Sequence, residues 1–332
     1  MHWVFYDRRK GAEALNRQKE GKTLKKHMRF REGMKELWQN KHLYLMTVPT
    51  VIWVAVFCYV PMYGILIAFK RFHYKEGIWG SPWAGLGNFS FLFNYNGVGK
   101  IFFNTIFLNV LFITSTTILS ILLALVFVEI KNKIANRMVQ TISIFPHFVS
   151  WTVVAMFLSA LIGANGMMTN LIKSTGAQDP AFYSNAGIWP VILVILRIWQ
   201  GAGYGSIVYI AVITGLGQEM YEAAKVDGAS RFQQITRITL PLLKTTAIML
   251  TIMSVGKIFN GDFGMIFALV GDNAVLYPTT DVVDTFVYRA LRQLNNLGMS
   301  TATSLFQSVV GLILVFTTNA ITKRLDPDAA IF

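Results

Sequence analysis

Six stretches of this chain, roughly residues 43–69, 101–128, 139–163, 187–213, 242–262 and 299–322, are each apolar and long. A membrane-crossing helix needs about 20 mainly apolar residues. In lipid the backbone can be satisfied only inside helices or a closed barrel. These runs commit the chain to an all-α polytopic membrane fold with six transmembrane helices. The composition agrees: 54% of the 332 residues are hydrophobic and 14% charged, where a soluble domain is about a quarter charged. A formal net charge of +13 could suit nucleic acid, but twelve of the thirty Lys and Arg residues fall within residues 1–42. No folded basic module accompanies them. Placed before the first apolar run, they act as a flank that stays on the cytoplasmic side.

The chain divides into a basic cytoplasmic N-terminal segment (1–42), a six-helix membrane domain (43–322) and a short cytoplasmic tail (323–332). Lys131, Lys133 and Arg137, then Lys225, Arg231 and Arg237, then Lys323 and Arg324 lie on one side of the six runs. The positive-inside rule assigns that side, and both termini, to the cytoplasm. External loops 164–186 and 263–298 balance Lys173, Arg289 and Arg292 against Asp179, Asp272, Asp281 and Asp284. External loop 70–100 is the exception, with Lys70, Arg71, Lys75 and Lys100. Some forty polar residues precede the first run, which is unlike a signal peptide, so the first helix is expected to be retained. Cys58 is the only cysteine and makes no internal disulfide.

Helix breakers sit inside the runs: Pro61 and Gly64, Pro146, and Pro190. In lipid such breaks are tolerated where neighbouring helices or a water-filled cavity satisfy the freed groups. Gly201 and Gly205, with Gly203 between them, read first as a surface for close helix packing. Loop 70–100 carries the turn formers Gly77, Gly80-Ser81-Pro82 and Gly85-Leu86-Gly87, which predict an ordered loop with an aromatic face. Segment 263–298 reads as a short amphipathic helix or re-entrant structure.

The loop at 214–241 is soluble in character and lies between two apolar runs. Residues 218–226 are good helix formers. Asp227-Gly228 ends that helix, because glycine accepts a left-handed cap. Ser230 can cap a second helix running through Ile238, and Pro241 suits the first turn of the next span. The result is a helix-turn-helix elbow. Ala223 and Ala224 let another protein approach closely, and Glu222 offers one charge to an arginine or backbone partner.

Glu222-Ala223-Ala224, three residues, Gly228, nine residues, and Ile238-Thr239-Leu240-Pro241 resemble the cytoplasmic coupling loop of permease subunits in bacterial ATP-binding-cassette importers. Tyr59-Val60-Pro61-Met62-Tyr63-Gly64, Ser81-Pro82-Trp83, Asp284-Thr285-Phe286-Val287-Tyr288-Arg289 and Leu305-Phe306-Gln307-Ser308 are similar to oligosaccharide permeases of the LplB type, related to the maltose permease subunits. The resemblance covers about residues 40–332. It implies the type I importer permease fold in the bacterial cytoplasmic membrane. It also implies a second, differently sequenced permease, two ATPase subunits, an extracytoplasmic solute-binding protein and an oligosaccharide substrate. No cofactor is then expected on this chain; ATP and Mg belong to the ATPases. The residues implied in coupling are Glu222, Ala223, Ala224, Asp227, Gly228, Ile238, Leu240 and Pro241.

The fourth and fifth runs flank that loop and are expected to line the solute path. Arg197, Trp199, Gln200, Tyr204, Ser206 and Tyr209 are the polar and aromatic groups of the fourth; Lys257, Asn260 and Asp262 are those assigned to the fifth. Aromatic faces suit the C–H faces of sugars, and amides and hydroxyls suit their alcohols. Trp199, Tyr204 and Tyr209 fit packing equally well. Arg197 near the middle of a span costs about 2.5–3.5 kcal/mol on insertion scales and needs a partner or a cavity. Its roles are a structural ion pair or contact with an anionic sugar, which Lys257 could share. A membrane-embedded enzyme would need converging catalytic groups. His2, His27, His42, His73 and His147 are scattered, and Asn94–Lys100 lacks the first glycine and the Ser/Thr of a phosphate loop. An importer for another solute class, or a stand-alone channel, remains the alternative; the channel would have no use for the elbow.

Overall fold

A computed structural model describes residues 39–90 and 97–331. The basic segment expected at the N-terminus lies outside the described residues up to position 38. The chain forms two compact units, residues up to Gly64 and from Ile65 onward. In the first unit, α1 (Lys41–Val54) continues through a π turn (Ala55–Tyr59) into a 3-10 stretch that begins at Val60. Its apolar side chains, Trp53 and Phe57 among them, are exposed. A helix apolar on every side needs lipid or another chain around it.

The second unit holds α2 (Val98–Glu129), α3 (Lys133–Ile144), α4 (Trp151–Ile162), α5 (Met167–Ser174), α6 (Trp189–Gly215), α7 (Gln218–Val226), α8 (Arg231–Gln234), α9 (Leu240–Val255), α10 (Phe263–Val270), α11 (Val283–Leu294) and α12 (Leu297–Leu325). Among the described residues, six helical segments are long and apolar enough to cross a membrane: Lys41–Phe69, Val98–Glu129, Trp151–Ser174, Ala186–Gly215, Arg231–Val255 and Leu297–Arg324.

Two of them differ in extent from the apolar runs. The third run is broken at Phe145–Phe148, where Pro146 has no N–H to continue the ladder, and Ser150 caps a fresh helix by accepting from the Val153 N–H (3.4 Å). The third span therefore begins at Trp151 and reaches Ser174, taking in residues expected to form the external loop after 163. The fifth starts inside the elbow, because the π turn Ile235–Thr239 joins α8 to α9 without a gap, and it ends at Val255. Lys257, Asn260 and Asp262 consequently lie beyond that span, in the irregular link to α10. A side chain at Gly256 would collide with Val315, and one at Gly261 with Val282. The chain is pinched there against α12 and α11.

α2 and α6 pack along their lengths. A methyl at Gly201 would touch Thr116 (3.3 Å) and one at Gly205 would overlap Ser120 Oγ (2.5 Å), while one at Gly203 would overlap the Ser143 carbonyl at the end of α3. The Gly-x-x-x-Gly face is thus a packing surface, and Ser120 Oγ donates to the Ala202 carbonyl across it (3.0 Å). Two cores flank this seam. Tyr209, Ala124, Ile213 and Leu243 fill the one near the elbow. At the opposite end Leu108, Phe112, Leu158, Trp189, Leu193, Met265 and Leu276 form the other.

Candidate functional site

The elbow is built by local hydrogen bonding. α7 ends in a glycine-based cap: Gly228 has φ of +79°. Its N–H donates to the Lys225 carbonyl (3.2 Å), and the Ala229 N–H donates to the Ala224 carbonyl (2.8 Å). These two bonds occupy carbonyls that the helix end leaves open. One residue later Ser230 Oγ accepts from the Gln233 N–H (3.3 Å), and Gln233 Oε1 accepts from the Ser230 N–H (2.7 Å). That reciprocal capping box starts α8. Pro241 sits in the first turn of α9, where its missing N–H costs nothing.

Side-chain bonds hold the elbow to itself, and an ion pair ties it to the end of α2. Tyr221 Oη and Thr239 Oγ1 are 2.9 Å apart, Gln234 is buried and donates to the Ala229 carbonyl (3.2 Å), and Arg231 lies 3.8 Å from Glu129 at the end of α2. A cavity of about 390 Å³ opens between the elbow and the ends of α2 and α6, lined by Leu125, Glu129, Ile213, Tyr221, Glu222 and Arg231 among others. Glu222, Ala223, Asp227 and Gly228 are exposed; Ala224 and Ile238 are half-buried; Leu240 and Pro241 are exposed. Val226 is 88% exposed and Phe232 75% exposed at the tip. This apolar pair is not among the residues expected in coupling. The available signal was two apolar side chains in a polar loop on either side of Asp227-Gly228.

The residues expected along a solute path fall into separate settings. Arg197 Nη1 donates to Asp262 Oδ2 (2.7 Å), so its charge is met within the chain. Asp262 Oδ1 also caps α10 through the Met265 N–H (3.1 Å). Gln200 is buried and donates to the Val149 carbonyl (3.1 Å), where it holds the break ahead of α4. Tyr209 and Ser206 are buried in packing, while Trp199 and Tyr204 are about half exposed. Tyr204 stacks on His147 at 3.9 Å, nearly parallel. His147 looks isolated in the sequence, but its place beside Pro146 in the broken segment puts it on Tyr204. Lys257 and Asn260 are exposed, and the Asn260 carbonyl accepts from Asn109 (3.1 Å).

Near Asp262 lies a second carboxylate. Asp284 Oδ1 accepts from Gln307 (2.7 Å), whose amide also donates to the Phe259 carbonyl (2.7 Å). Burial pushes the Asp284 carboxyl up to about 6; the Gln307 bond opposes that, and the Asp262 charge adds to it. Farther along α11, Arg289 is paired with Asp281 (2.5 Å) and lies 4.2 Å over the Tyr277 ring. Burial works against the Arg289 charge, yet the bond to Asp281 together with the charges of Asp281, Tyr277 and Asp272 moves the guanidinium upward. Tyr277, hydrogen-bonded to Asp272, is pushed up to about 12, first by burial and then by that bond. Among the described residues, no three His, Cys, Asp or Glu side chains converge as metal ligands would.

Comparison with known proteins gives one consistent result. Residues 116–330 match the family described as binding-protein-dependent transport system inner membrane component. The chain is 36% identical to the polygalacturonan/rhamnogalacturonan transport system permease protein YteP of Bacillus subtilis (strain 168), over 95% of this chain and 98% of that one. It is 34% identical to protein LplB of the same organism, over 89% and 92%. Among solved structures, a chain of a bacterial alginate ABC transporter, in complex with an alginate pentasaccharide-bound periplasmic protein, superposes with a TM-score of 0.78 at 33% identity. That match covers 88% of this chain and 97% of the other.

Proposed function

From the premise that this chain belongs to the family of binding-protein-dependent transport system inner membrane components, we propose how it works. It is a multi-pass permease subunit of a sugar importer of the ATP-binding-cassette type. Its spans form part of the path for an oligosaccharide. The elbow transmits the work of ATP hydrolysis, with Glu222, Ala223, Ala224, Asp227 and Gly228 seated in a cleft of an ATPase subunit. Ile238, Leu240 and Pro241 carry that movement into α9. Closure of an ATPase pair rocks this permease against a second, differently sequenced one, which is alternating access by rigid-body motion. ATP and Mg sit on the ATPases, and this chain hydrolyses nothing. Both termini face the cytoplasm, and an extracytoplasmic binding protein delivers the sugar.

One observation carries the coupling role. The turn between α7 and α8 is capped locally on both sides yet leaves Val226 and Phe232 exposed, which suits a surface finished by another protein. A second reading concerns the sugar. The half-exposed Arg197 uses one Nη on Asp262 and keeps further donors. Together with exposed Lys257 and Asn260, and the acidic polysaccharides in the names of two relatives, it favours a uronate-bearing oligosaccharide. Uptake of such a sugar unchanged in Arg197→Ala would remove that reading.

The test of coupling is mild-detergent affinity purification from the native host, with co-purifying proteins identified. An ATPase and a second permease should come with the wild-type chain and be lost in Glu222→Arg. A chain that purifies alone, identically in both forms, would contradict the assignment.

A further inference from the structure

The loop at 70–90 carries positive charge on the side of the membrane where this chain otherwise has little. Its structure accounts for one of those charges. Lys70 is 5% exposed; its ammonium donates to the carbonyls of Ile78 (2.8 Å) and Trp79 (3.2 Å) and lies 5.1 Å from the Trp83 ring centre. This lysine is an internal fastener that folds the loop over itself, helped by the antiparallel bridge between Lys70 and Trp83.

The folded loop is also fixed to the ends of two spans. Asn88 Nδ2 donates to the carbonyls of Ala68 (2.9 Å) and Lys70 (2.8 Å), which the end of the first span leaves open. The same Asn88 amide lies against Gly298, in the first turn of α12. The loop therefore sits where these spans leave the apolar layer, at the end opposite the elbow. There it exposes an uncommon set of side chains. Trp79 is 77% exposed, Tyr74 68%, Trp83 67% and Leu86 71%, with exposed Arg71 and Lys75 beside them.

Tryptophan and tyrosine concentrate at the headgroup level, where one end of the ring meets hydrocarbon and the other meets water. Arginine and lysine stems lie along apolar surface while their heads reach phosphate. We propose that loop 70–90 is an interfacial membrane anchor, with Tyr74, Trp79 and Trp83 seated in the headgroup layer of the leaflet opposite the elbow and Arg71 and Lys75 on lipid phosphates. The partner is a phospholipid surface, preferentially an anionic one. This role rests on the chain crossing a membrane and not on which solute it moves.

A nitroxide label on W79C, in a Cys58→Ser background, tests it. The assembled transporter is placed in nanodiscs of phosphatidylcholine and phosphatidylglycerol, and collisions with oxygen and with a water-soluble nickel complex are compared. The oxygen-to-nickel ratio at position 79 should be several-fold higher than for the same label at exposed Gln178. In parallel, native mass spectrometry should show retained phosphatidylglycerol falling in the Arg71→Gln/Lys75→Gln double variant. A label as open to nickel as that at Gln178 would overturn the anchor, as would shielding that appears only when a binding protein is added. Equal phosphatidylglycerol on both proteins would overturn the headgroup contact.

Discussion

The elbow, residues 218–239, and the longer segment at the opposite end, residues 256–294, both connect spans, yet they are held in different ways. The elbow draws its shape from neighbours in sequence: the Gly228 cap, the Ser230–Gln233 box and the π turn. α7 buries no residue, and α8 buries only Gln234. The opposite segment buries Met265, Ile266, Leu269, Leu276 and Val282. It is stitched to distant helices by Asn104 on the Asp281 carbonyl (3.2 Å), Asn273 on the Tyr183 carbonyl (2.8 Å) and Thr279 on the Ala186 carbonyl. One region completes itself; the other is a firm shape with an unfinished surface. That division suits the coupling role proposed for the elbow, because a coupling element must be stiff within itself and free to be moved as a unit.

Damage to the two regions should therefore register in different assays. The largest effect on stability belongs to the opposite segment. Arg289→Ala leaves Asp281 buried without its partner, a change that costs about 3–5 kcal/mol for buried pairs. Detergent-solubilised protein should melt at a clearly lower temperature, while Glu222→Arg at the elbow leaves the melting midpoint in place. Equal midpoints for Arg289→Ala and wild type would erase the distinction.

A smaller effect should appear with pH. Asp284 is raised from 3.8 to about 6 in the folded chain. The folded state then binds more protons than the unfolded one between those values, so stability is highest at the acid end and declines as pH rises through about 6. Asp284→Asn keeps the amide-compatible shape and should flatten that decline in thermal unfolding measured across the same window. An unchanged slope would place the decline elsewhere.

The same comparison shows why some features were legible in the sequence. Asp227-Gly228, Ser230 and Pro241 act over two to five residues, so the elbow was legible in the sequence, although the Gln233 half of the capping box was not. The six spans were legible from hydropathy, and the Gly201/Gly205 face from its spacing. Boundaries were not: an apolar run hides the break at Pro146 and the new cap at Ser150, and it conceals where Gly256 is pinched against Val315. Long-range polar contacts were also invisible. Arg197 demanded a partner, but nothing local pointed to Asp262, and Gln200 gave no sign of holding the Val149 carbonyl. Tyr209 carried the chemistry of a sugar ligand yet lies in the core, since residue type alone does not say which face of a helix is covered.

If an ATPase subunit finishes the elbow's exposed tip, Phe232 lies against it in the assembled importer. Cysteine placed at Phe232, in a Cys58→Ser background, should form an oxidant-induced disulfide with a cysteine introduced in the ATPase cleft. The yield should change between nucleotide-free and ATP-trapped complexes, and a cysteine at Gln178 should give none. Cross-linking at Gln178 to the same extent, or none from position 232 in an assembled complex that still transports, would contradict the account.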